Sequence, residues 1–325
     1  MEYETTDYVK VPIRQFPARE IRETAEGRYW KQFTKPLTAK QVGAVSCIDF
    51  SPALPYDFAI TSSTRVLIYN GATRTVRRTI TRFQDRAYGA HFRSDGRVLA
   101  AGGESGMVQI FDAASRSILR QLKGHSRPAH GAYFSSDRVH VLSVGDDATA
   151  RWWDVTAGTQ VGRLSGHEDY VRSAAAHPTS AEVWATGCYD HGVRLWDMRS
   201  QSSVLKVDHG APVEAVAFVP SGSLLITAGG TNVCIWDVLS GGRLLAQLSN
   251  HQKTVTCLAV SPSAGPASAV APRLLTGSLD GHLKVYELEG FQVTHVQSHV
   301  APILSLGLAP DNSLLAVGMA DGTLS

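Results

Sequence analysis

Residues 166–197 read GHEDYVRSAAAHPTSAEVWATGCYDHGVRLWD, and this stretch decides the fold. It begins with a Gly-His pair, ends with Trp-Asp and contains a turn at residues 189–192. Residues 171–174 and 183–187 are short apolar runs, and residues 193–196 alternate as a half-buried strand does. The pattern predicts three antiparallel strands whose apolar face the unit cannot cover alone.

The same unit recurs along the chain. Acidic residues that follow an aromatic residue stand at Asp112, Asp154, Asp197 and Asp237, with spacings of 42, 43 and 40 residues. Repeats of about 40–45 residues with four strands each are typical of propeller blades. The chain therefore resembles the WD40 family. This resemblance implies an all-β fold, a seven-bladed WD40 β-propeller with an N-terminal arm and a strand that closes the ring.

The expected organisation has two parts. Residues 1–30 lack strand periodicity and are predicted to form an extended arm, whereas residues 31–325 form the propeller. WD40 rings usually pair an N-terminal strand with the last blade, which removes open sheet edges, so residues 31–40 are predicted to close blade seven.

Composition limits the classes of protein that remain. Hydrophobic residues make up 43% of the chain and charged residues 18%, which excludes a disordered composition. The four cysteines form no CxxC pair, and we interpret them as buried free thiols. The acidic N-terminus predicts no signal peptide, and no stretch is apolar enough to predict a membrane span.

The family resemblance implies a buried hydrogen-bonded chain in several blades. It joins a histidine at the start of the unit, a hydroxyl residue on the second strand, an aspartate in the next turn and a tryptophan. The residues in these positions are His125, Ser143, Asp147 and Trp153 in blade three, His167, Thr186, Asp190 and Trp196 in blade four, and His251, Thr276 and Asp280, with Tyr286 as the aromatic residue, in blade six.

A serine-histidine-aspartate set also occurs in hydrolases, but its recurrence from blade to blade favours a structural role. The chain has no phosphate-binding loop and no HExxH zinc motif. We therefore predict no catalytic residues, no metal, no cofactor and no small-molecule substrate. The repeats also align seven residues that should face the mouth of the central channel: Ser46, Tyr88, His130, Arg172, Glu214, Thr256 and Leu304.

Charge is concentrated in one part of the chain. Residues 65–138 contain 13 Lys and Arg against 5 Asp and Glu, although the whole chain has a net charge of only +2. Arginine forks suit phosphate, and such a sector can attract nucleic acid without reading its sequence. The alternatives are a solvated rim or an acidic protein partner. The candidate RNA- or partner-binding residues are Arg74, Arg77, Arg78, Arg82, Arg86, Tyr88, Arg93, Arg97, Arg116, Arg120, Lys123, Arg127, His130 and Arg172.

Several stretches resemble one nucleolar WD40 family that belongs to the small-subunit processome, among them residues 29–31, 44–52, 90–97, 169–172 and 209–251. The resemblance implies a non-catalytic scaffold in the nucleolus that acts in pre-rRNA processing, 18S rRNA maturation and ribosomal DNA transcription. Its implied partners are other WD40 and helical subunits and the 5′ external transcribed spacer of pre-rRNA. This nucleolar family also carries a helical C-terminal domain, and we expect the chain to end before it. A competing hypothesis is a substrate-receptor or adaptor propeller for a ubiquitin ligase or a signalling complex.

Overall fold

A computed structural model describes residues 29–31, 33, 37–261 and 272–325. In these residues, 28 strands form seven four-stranded antiparallel sheets. The first strands of neighbouring sheets contact one another around the whole ring, including blade seven with blade one. The structure confirms the predicted all-β, seven-bladed propeller. No helix in the described residues is long and apolar enough to cross a membrane.

Each blade is a meander whose strands follow one another outward from the channel. The strands of blades one to four are β2 (Val45–Phe50), β3 (Phe58–Ser62), β4 (Arg65–Tyr69), β5 (Val76–Ile80); β6 (Ala87–Phe92), β7 (Val98–Gly103), β8 (Met107–Asp112), β9 (Ile118–Lys123); β10 (Ala129–Phe134), β11 (His140–Gly145), β12 (Thr149–Asp154), β13 (Thr159–Ser165); and β14 (Val171–Ala176), β15 (Val183–Cys188), β16 (Gly192–Asp197), β17 (Ser202–Asp208). Those of blades five to seven are β18 (Val213–Phe218), β19 (Leu224–Gly229), β20 (Asn232–Asp237), β21 (Arg243–Leu248); β22 (Val255–Ser261), β23 (Arg273–Ser278), β24 (His282–Glu287), β25 (Val293–Ser298); and β26 (Ile303–Leu308), β27 (Leu315–Met319), β28 (Thr323–Leu324), β1 (Ala39–Lys40).

The loops lie on two faces because antiparallel strands alternate in direction. We call the upper face the one that carries the loops from one blade to the next and the turns between second and third strands. The lower face carries the other two kinds of turn. This division decides which predicted binding residues can act together.

The hydrophobic core is divided among the seven contacts between adjacent blades. Seven clusters of buried residues each join side chains of two neighbouring blades. Between blades three and four, for example, Trp152 meets Trp184 edge-on at 5.4 Å between ring centroids. Each blade therefore covers its apolar face with the next blade, as repeat proteins do.

The ring closes with less strand than the sequence predicts. The closing strand is the two-residue β1, which pairs with β28 through Ala39 with Leu324 and Lys40 with Thr323. The prediction of a strand over residues 31–40 was wrong at its N-terminal end, because Lys31 belongs to a helical turn. Residues 1–28 of the predicted arm lie outside the described residues.

The helical turn is held by aromatic packing. Trp30 is only 2% exposed and belongs to the cluster between blades six and seven. Its ring lies 5.1 Å from that of Tyr29 and 5.7 Å from that of Phe33. A helical turn brings these three rings together on one side, whereas a strand would separate them onto two faces.

Candidate functional site

Blade four contains a hydrogen-bonded chain that runs from its upper turn into the core. Thr186 Oγ1 lies 2.7 Å from Trp196 Nε1 and 2.7 Å from His167 Nε2. His167 Nδ1 lies 3.0 Å from Asp190 Oδ2, which also accepts the backbone N–H of Glu168. The predicted residues of this blade are thus in direct contact.

The direction of each bond follows from the chemistry of its ends. A carboxylate only accepts and an indole only donates, so His167 donates from Nδ1 to Asp190, and Thr186 accepts from Trp196. The Thr186 hydroxyl then donates to His167 Nε2, which makes the imidazole neutral. Burial lowers the pKa of His167 in agreement with this state. Burial alone would raise the pKa of Asp190, but the hydrogen bonds from His167 and from backbone N–H groups lower it to about 2.

Blade three repeats the arrangement with a serine. Ser143 Oγ lies 2.8 Å from both Trp153 Nε1 and His125 Nε2, and His125 Nδ1 lies 2.9 Å from Asp147 Oδ1. Ser143 is completely buried. A hydrolytic serine must reach its substrate, so the geometry argues against nucleophilic chemistry here.

Blade six carries the same polar set beneath a different ring. His251 lies 2.7 Å from Thr276 Oγ1 and 3.0 Å from Asp280 Oδ2. Tyr286 occupies the place of the tryptophan and is completely buried. Burial lowers the pKa of His251. Hydrogen bonds from the backbone of His282 and from His251 outweigh burial and lower the pKa of Asp280 to about 2.

Blade five forms a fourth chain that the sequence analysis missed, because this blade lacks the aspartate. Thr227 Oγ1 lies 2.9 Å from Trp236 Nε1 and 2.8 Å from His209 Nδ1. His209 Nε2 then donates to the carbonyl of Gly229 over 3.1 Å, so the ring uses its nitrogens in the reverse order. A Cβ at Gly229 would lie 2.9 Å from His209 Cδ2 and 2.3 Å from the Pro212 carbonyl oxygen, so only glycine fits.

Blade two replaces the polar chain with apolar rings. Phe83 stands four residues before β6, as His125 stands four before β10, and Phe111 occupies the place of Trp153. The two phenylalanine rings lie 5.7 Å apart. Ala101 replaces the hydroxyl residue. The positions of the histidine, the hydroxyl residue and the tryptophan are therefore all apolar in blade two, and none of them requires a hydrogen-bond partner.

In the part of the chain that the structure describes, one group of side chains has the spacing of metal ligands, namely His167, Cys188 and Asp190. Two of these belong to the chain in blade four, and the Cys188 thiol donates to the carbonyl of Asp169 over 3.1 Å. Burial raises the pKa of Cys188 to about 12, so the thiol keeps its proton at neutral pH. Hydrogen bonds rather than a cation account for this group.

The residues aligned at the channel mouth share one backbone feature. In every first strand the register shifts after the opening residue, for example between Val171 and Ser173 and between Ala129 and Gly131. Such a bulge leaves the residue after the opening one unpaired, and in β6 the following Gly89 is unpaired as well. The bulged residues are the seven aligned ones, and all seven line a central cavity of about 590 Å³: Ser46, Tyr88, His130, Arg172, Glu214, Thr256 and Leu304.

Polar contacts connect these bulged residues around half of the channel. Arg172 Nε and His130 Nε2 each lie 3.1 Å from the carboxylate of Asp146. The Arg172 guanidinium also lies 5.1 Å from the centre of the Tyr189 ring, whose hydroxyl donates to Glu214. Arg172 is therefore held by partners within the same chain.

Tyr88 is held in the same way. Its hydroxyl donates to Glu104, and its ring lies 4.2 Å from that of His130. Burial, followed by the bond to Glu104, raises the pKa of Tyr88 to about 12. The mouth is thus a polar belt in which the charges of Arg172 and Asp146 lie next to each other, although His130 Nε2, Arg172 Nε and Asp146 Oδ1 have no hydrogen-bond partner among the described residues.

The predicted basic residues do not form one surface. Arg77, Arg78 and Arg120 lie on outer strands at the rim and are engaged: Arg77 pairs with Asp57 at 2.7 Å, while Arg78 and Arg120 donate to carbonyl groups of the next blade. The residues of the lower face are Arg74, Arg93, Arg97 and Arg116. The residues of the upper face are Arg82, Arg86, Lys123 and Arg127.

Among these predicted residues, exposed cations without an ion pair among the described residues lie on both faces, and those of the lower face are Arg74, Arg97 and Arg116. On the lower face, Arg93 pairs with Asp95 at 2.6 Å. Arg82, Arg86, Lys123 and Arg127 are exposed, and within the described part of the chain no ion pair involves them. The upper face of blades two and three therefore carries four unpaired basic groups that an anionic partner can bind, whereas the three of the lower face lie in blades one and two.

Comparison with known proteins agrees with this architecture. The model of the WD domain, G-beta repeat family matches residues 116–154, 158–197, 201–237, 242–287 and 290–325. The second of these matches begins just before β13 and ends with β16, so the family unit is offset by one strand from the structural blade.

Longer similarities extend over nearly the whole chain. It is 52% identical over 98% of its length to the U3 small nucleolar RNA-associated protein 15 homolog of Bos taurus and 51% identical, also over 98%, to that of Homo sapiens. It is 43% identical over 96% of its length to U3 small nucleolar RNA-associated protein 15 of Schizosaccharomyces pombe. The chain spans 60%, 60% and 62% of the length of these relatives. With its repeats matched in register and its seven blades in place, the chain belongs to the WD40 family.

Proposed function

We propose that the chain is a non-catalytic scaffold subunit of the nucleolar small-subunit processome. In this role it acts in pre-rRNA processing, 18S rRNA maturation and ribosomal DNA transcription. It holds other WD40 and helical subunits and contacts the 5′ external transcribed spacer of pre-rRNA. The observation that supports this most is identity of 42–52% over 98% of the chain to vertebrate relatives named for association with U3 small nucleolar RNA.

The upper face of blades two and three is the proposed RNA contact. Arg82, Arg86, Lys123 and Arg127 lie there without ion pairs among the described residues, whereas the rim arginines bind within the protein. Exposed Arg and Lys side chains neutralise phosphates and release their counterions. The contact should therefore weaken steeply with salt and depend little on sequence.

The channel mouth does not favour the competing substrate-receptor function. Such a receptor needs unpaired groups to bind its target, but Arg172 is paired with Asp146 and Tyr88 with Glu104. A peptide that displaced these contacts would have to replace the hydrogen bonds and the ion pair that it breaks.

Ultraviolet cross-linking of the tagged protein in cells, followed by sequencing of the attached RNA, tests the proposal. The wild-type chain should give reads concentrated in the 5′ external transcribed spacer. Arg82→Glu with Arg86→Glu should lose most of them, whereas Arg74→Glu with Arg116→Glu makes the same charge change on the lower face and should keep them. Equal loss in both variants would refute the assignment to the upper face. Reads no higher than background in wild type would refute the RNA contact.

A further inference from the structure

Blade two has a cavity of about 160 Å³ at its upper edge. It lies between the loop at residues 82–86, the turn at residues 103–105 and the outer strands β8 and β9. Its volume equals that of about five water molecules at liquid density.

The cavity exists because one side chain is shorter than in the next blades. Gln109 stands two residues before Phe111, as Arg151 stands two before Trp153 in blade three. Arg151 extends across the equivalent space to Gln160 at 2.8 Å and to Asp147 at 3.5 Å. In blade two the corresponding partners are Ile118 and Ser105, and both line the cavity. Glutamine is too short to fill this space.

The side-chain amide of Gln109 makes no strong hydrogen bond to the described residues. Gln109 is only 8% exposed, and among the described residues its Oε1 has no hydrogen-bond partner. Its Nε2 contacts Met107 Sδ at 3.7 Å, and a thioether is a weak acceptor. A buried polar group without a partner is uncommon and calls for an explanation. Gln109 lines the open cavity and its Oε1 is covered in this conformation, so a rotation of the amide would present it to a group that enters the cavity.

The mouth of the cavity suits a nucleic-acid strand. Arg82 and Arg86 line it and are exposed, while Phe83 contributes an aromatic ring to its wall. Asp85 and Glu104 also line it, and Glu104 accepts the hydroxyl of Tyr88. Single-stranded RNA is recognised through splayed bases that stack on aromatic rings and form hydrogen bonds along their edges.

We propose that this cavity receives one unstacked base of single-stranded RNA. The Gln109 amide, which offers a donor and an acceptor side by side, binds the edge of the base, and Arg82 and Arg86 bind the flanking phosphates. This inference rests on the proposed RNA contact and deepens it. It adds base preference to an interaction that phosphate contacts alone would leave independent of sequence.

The test is the affinity of the purified chain for labelled single-stranded oligoribonucleotides of uniform A, C, G or U, measured by fluorescence anisotropy. Wild type should prefer one base. Gln109→Met keeps the length of the side chain but removes both hydrogen-bonding groups, so binding of the preferred oligonucleotide should weaken about 5- to 100-fold. Gln247→Met changes an exposed glutamine of blade five and should leave binding unchanged.

A second variant separates the cavity from simple charge. Gln109→Arg introduces the residue that fills the equivalent space in blades three and four. It adds a positive charge, yet it should abolish the preference among the four bases. Thermal melting should show that neither Gln109 variant is less stable than wild type, because the amide that they remove has no strong partner.

The two proposals fail in different ways. If wild type binds all four oligonucleotides equally, or if both Gln109 variants keep its preference, the base pocket is refuted. Binding that still depends on Arg82 and Arg86 would then leave the RNA contact standing. If the wild-type chain binds none of the oligonucleotides at low salt, the RNA contact fails and the base pocket fails with it.

Discussion

Replacement of Thr186 by valine should destabilise the propeller far more than loss of one hydroxyl elsewhere. Valine has the shape of threonine, so the packing of this completely buried site is preserved. The change leaves Trp196 Nε1 and His167 Nε2 without partners, because both bind Thr186 Oγ1 at 2.7 Å. Each unpaired buried group costs about 1–3 kcal/mol, so the free energy of unfolding should fall by about 2–6 kcal/mol.

Urea unfolding followed by tryptophan fluorescence measures this loss. The shift of the midpoint multiplied by the urea dependence gives the change in free energy. Thr159→Val is the matched control, since Thr159 is exposed at the start of β13, and its effect should stay within about 0.5 kcal/mol. A loss below about 1 kcal/mol for Thr186→Val would refute the role assigned to the hydroxyl.

A double-mutant cycle tests whether the contact itself is responsible. Trp196→Phe removes the indole N–H, and its cost includes the smaller ring in every background. If Thr186 accepts that N–H, Trp196→Phe should cost less in the Thr186→Val background than in wild type. The two changes are in contact, so a coupling of about 1 kcal/mol or more is expected. Strict additivity would show that the two residues only pack together.

Three further results should follow from the same geometry. Burial lowers the pKa of His167 and His251 below the usual 6.5, and hydrogen bonding lowers the pKa of Asp190 and Asp280 from 3.8 to about 2. The unfolded chain then binds protons more readily than the folded one, so the free energy of unfolding should decline as pH falls below about 6.5 and again below 3.8. Urea midpoints measured at each pH would show this decline, and a midpoint that rises toward acid pH would contradict it. Cys47 should be the only thiol that a maleimide labels in the native chain, by mass spectrometry, because Cys188, Cys234 and Cys257 are buried and burial raises their pKa values to about 12, 11 and 12. Arg120→Ala should lower the free energy of unfolding by about 0.5–1.5 kcal/mol, since it removes the hydrogen bond to the Thr156 carbonyl. Arg127→Ala should instead lower RNA affinity and leave the free energy of unfolding unchanged.

The number of blades was predictable from the sequence because every blade repeats one local pattern. A meander of four strands with a turn every few residues is encoded within about 40 residues. The regular spacing of Asp154, Asp197 and Asp237 therefore indicates where each of these blades lies in the sequence. The bulged residues at the channel mouth were predictable for the same reason. Each, like Arg172 and Glu214, follows one residue after the opening of a first strand.

Features that depend on another blade or on the backbone could not be predicted in this way. The fourth hydrogen-bonded chain uses the carbonyl of Gly229, and no side chain in the sequence marks that acceptor. Arg78 and Arg120 are charged residues in exposed strands, but their acceptors are carbonyl groups of the next blade, 35 and 36 residues away in the sequence. Local sequence gives the charge of an arginine and not its partner.

The upper loops of blade two should be more mobile than those of blade three. In blade three, Asp147 accepts both the His125 ring and the Ser126 backbone N–H, which ties the incoming loop to the next turn. Ser105 replaces Asp147 in blade two, and there, within the described residues, no side-chain hydrogen bond joins the loop at residues 81–86 to the turn at residues 104–106.

Two lost bonds of about 1 kcal/mol each should make amide hydrogen exchange in that loop about 10- to 30-fold faster than at residues 124–128. Mass spectrometry of exchanged peptides at neutral pH measures the difference. Asp147→Ser should raise exchange in blade three to the level of blade two, and equal exchange in wild type would contradict the argument. This more mobile loop lies beside Arg82, Arg86 and the cavity of Gln109. It can therefore adjust around a bound RNA strand, whereas the hydrogen-bonded loop of blade three could not.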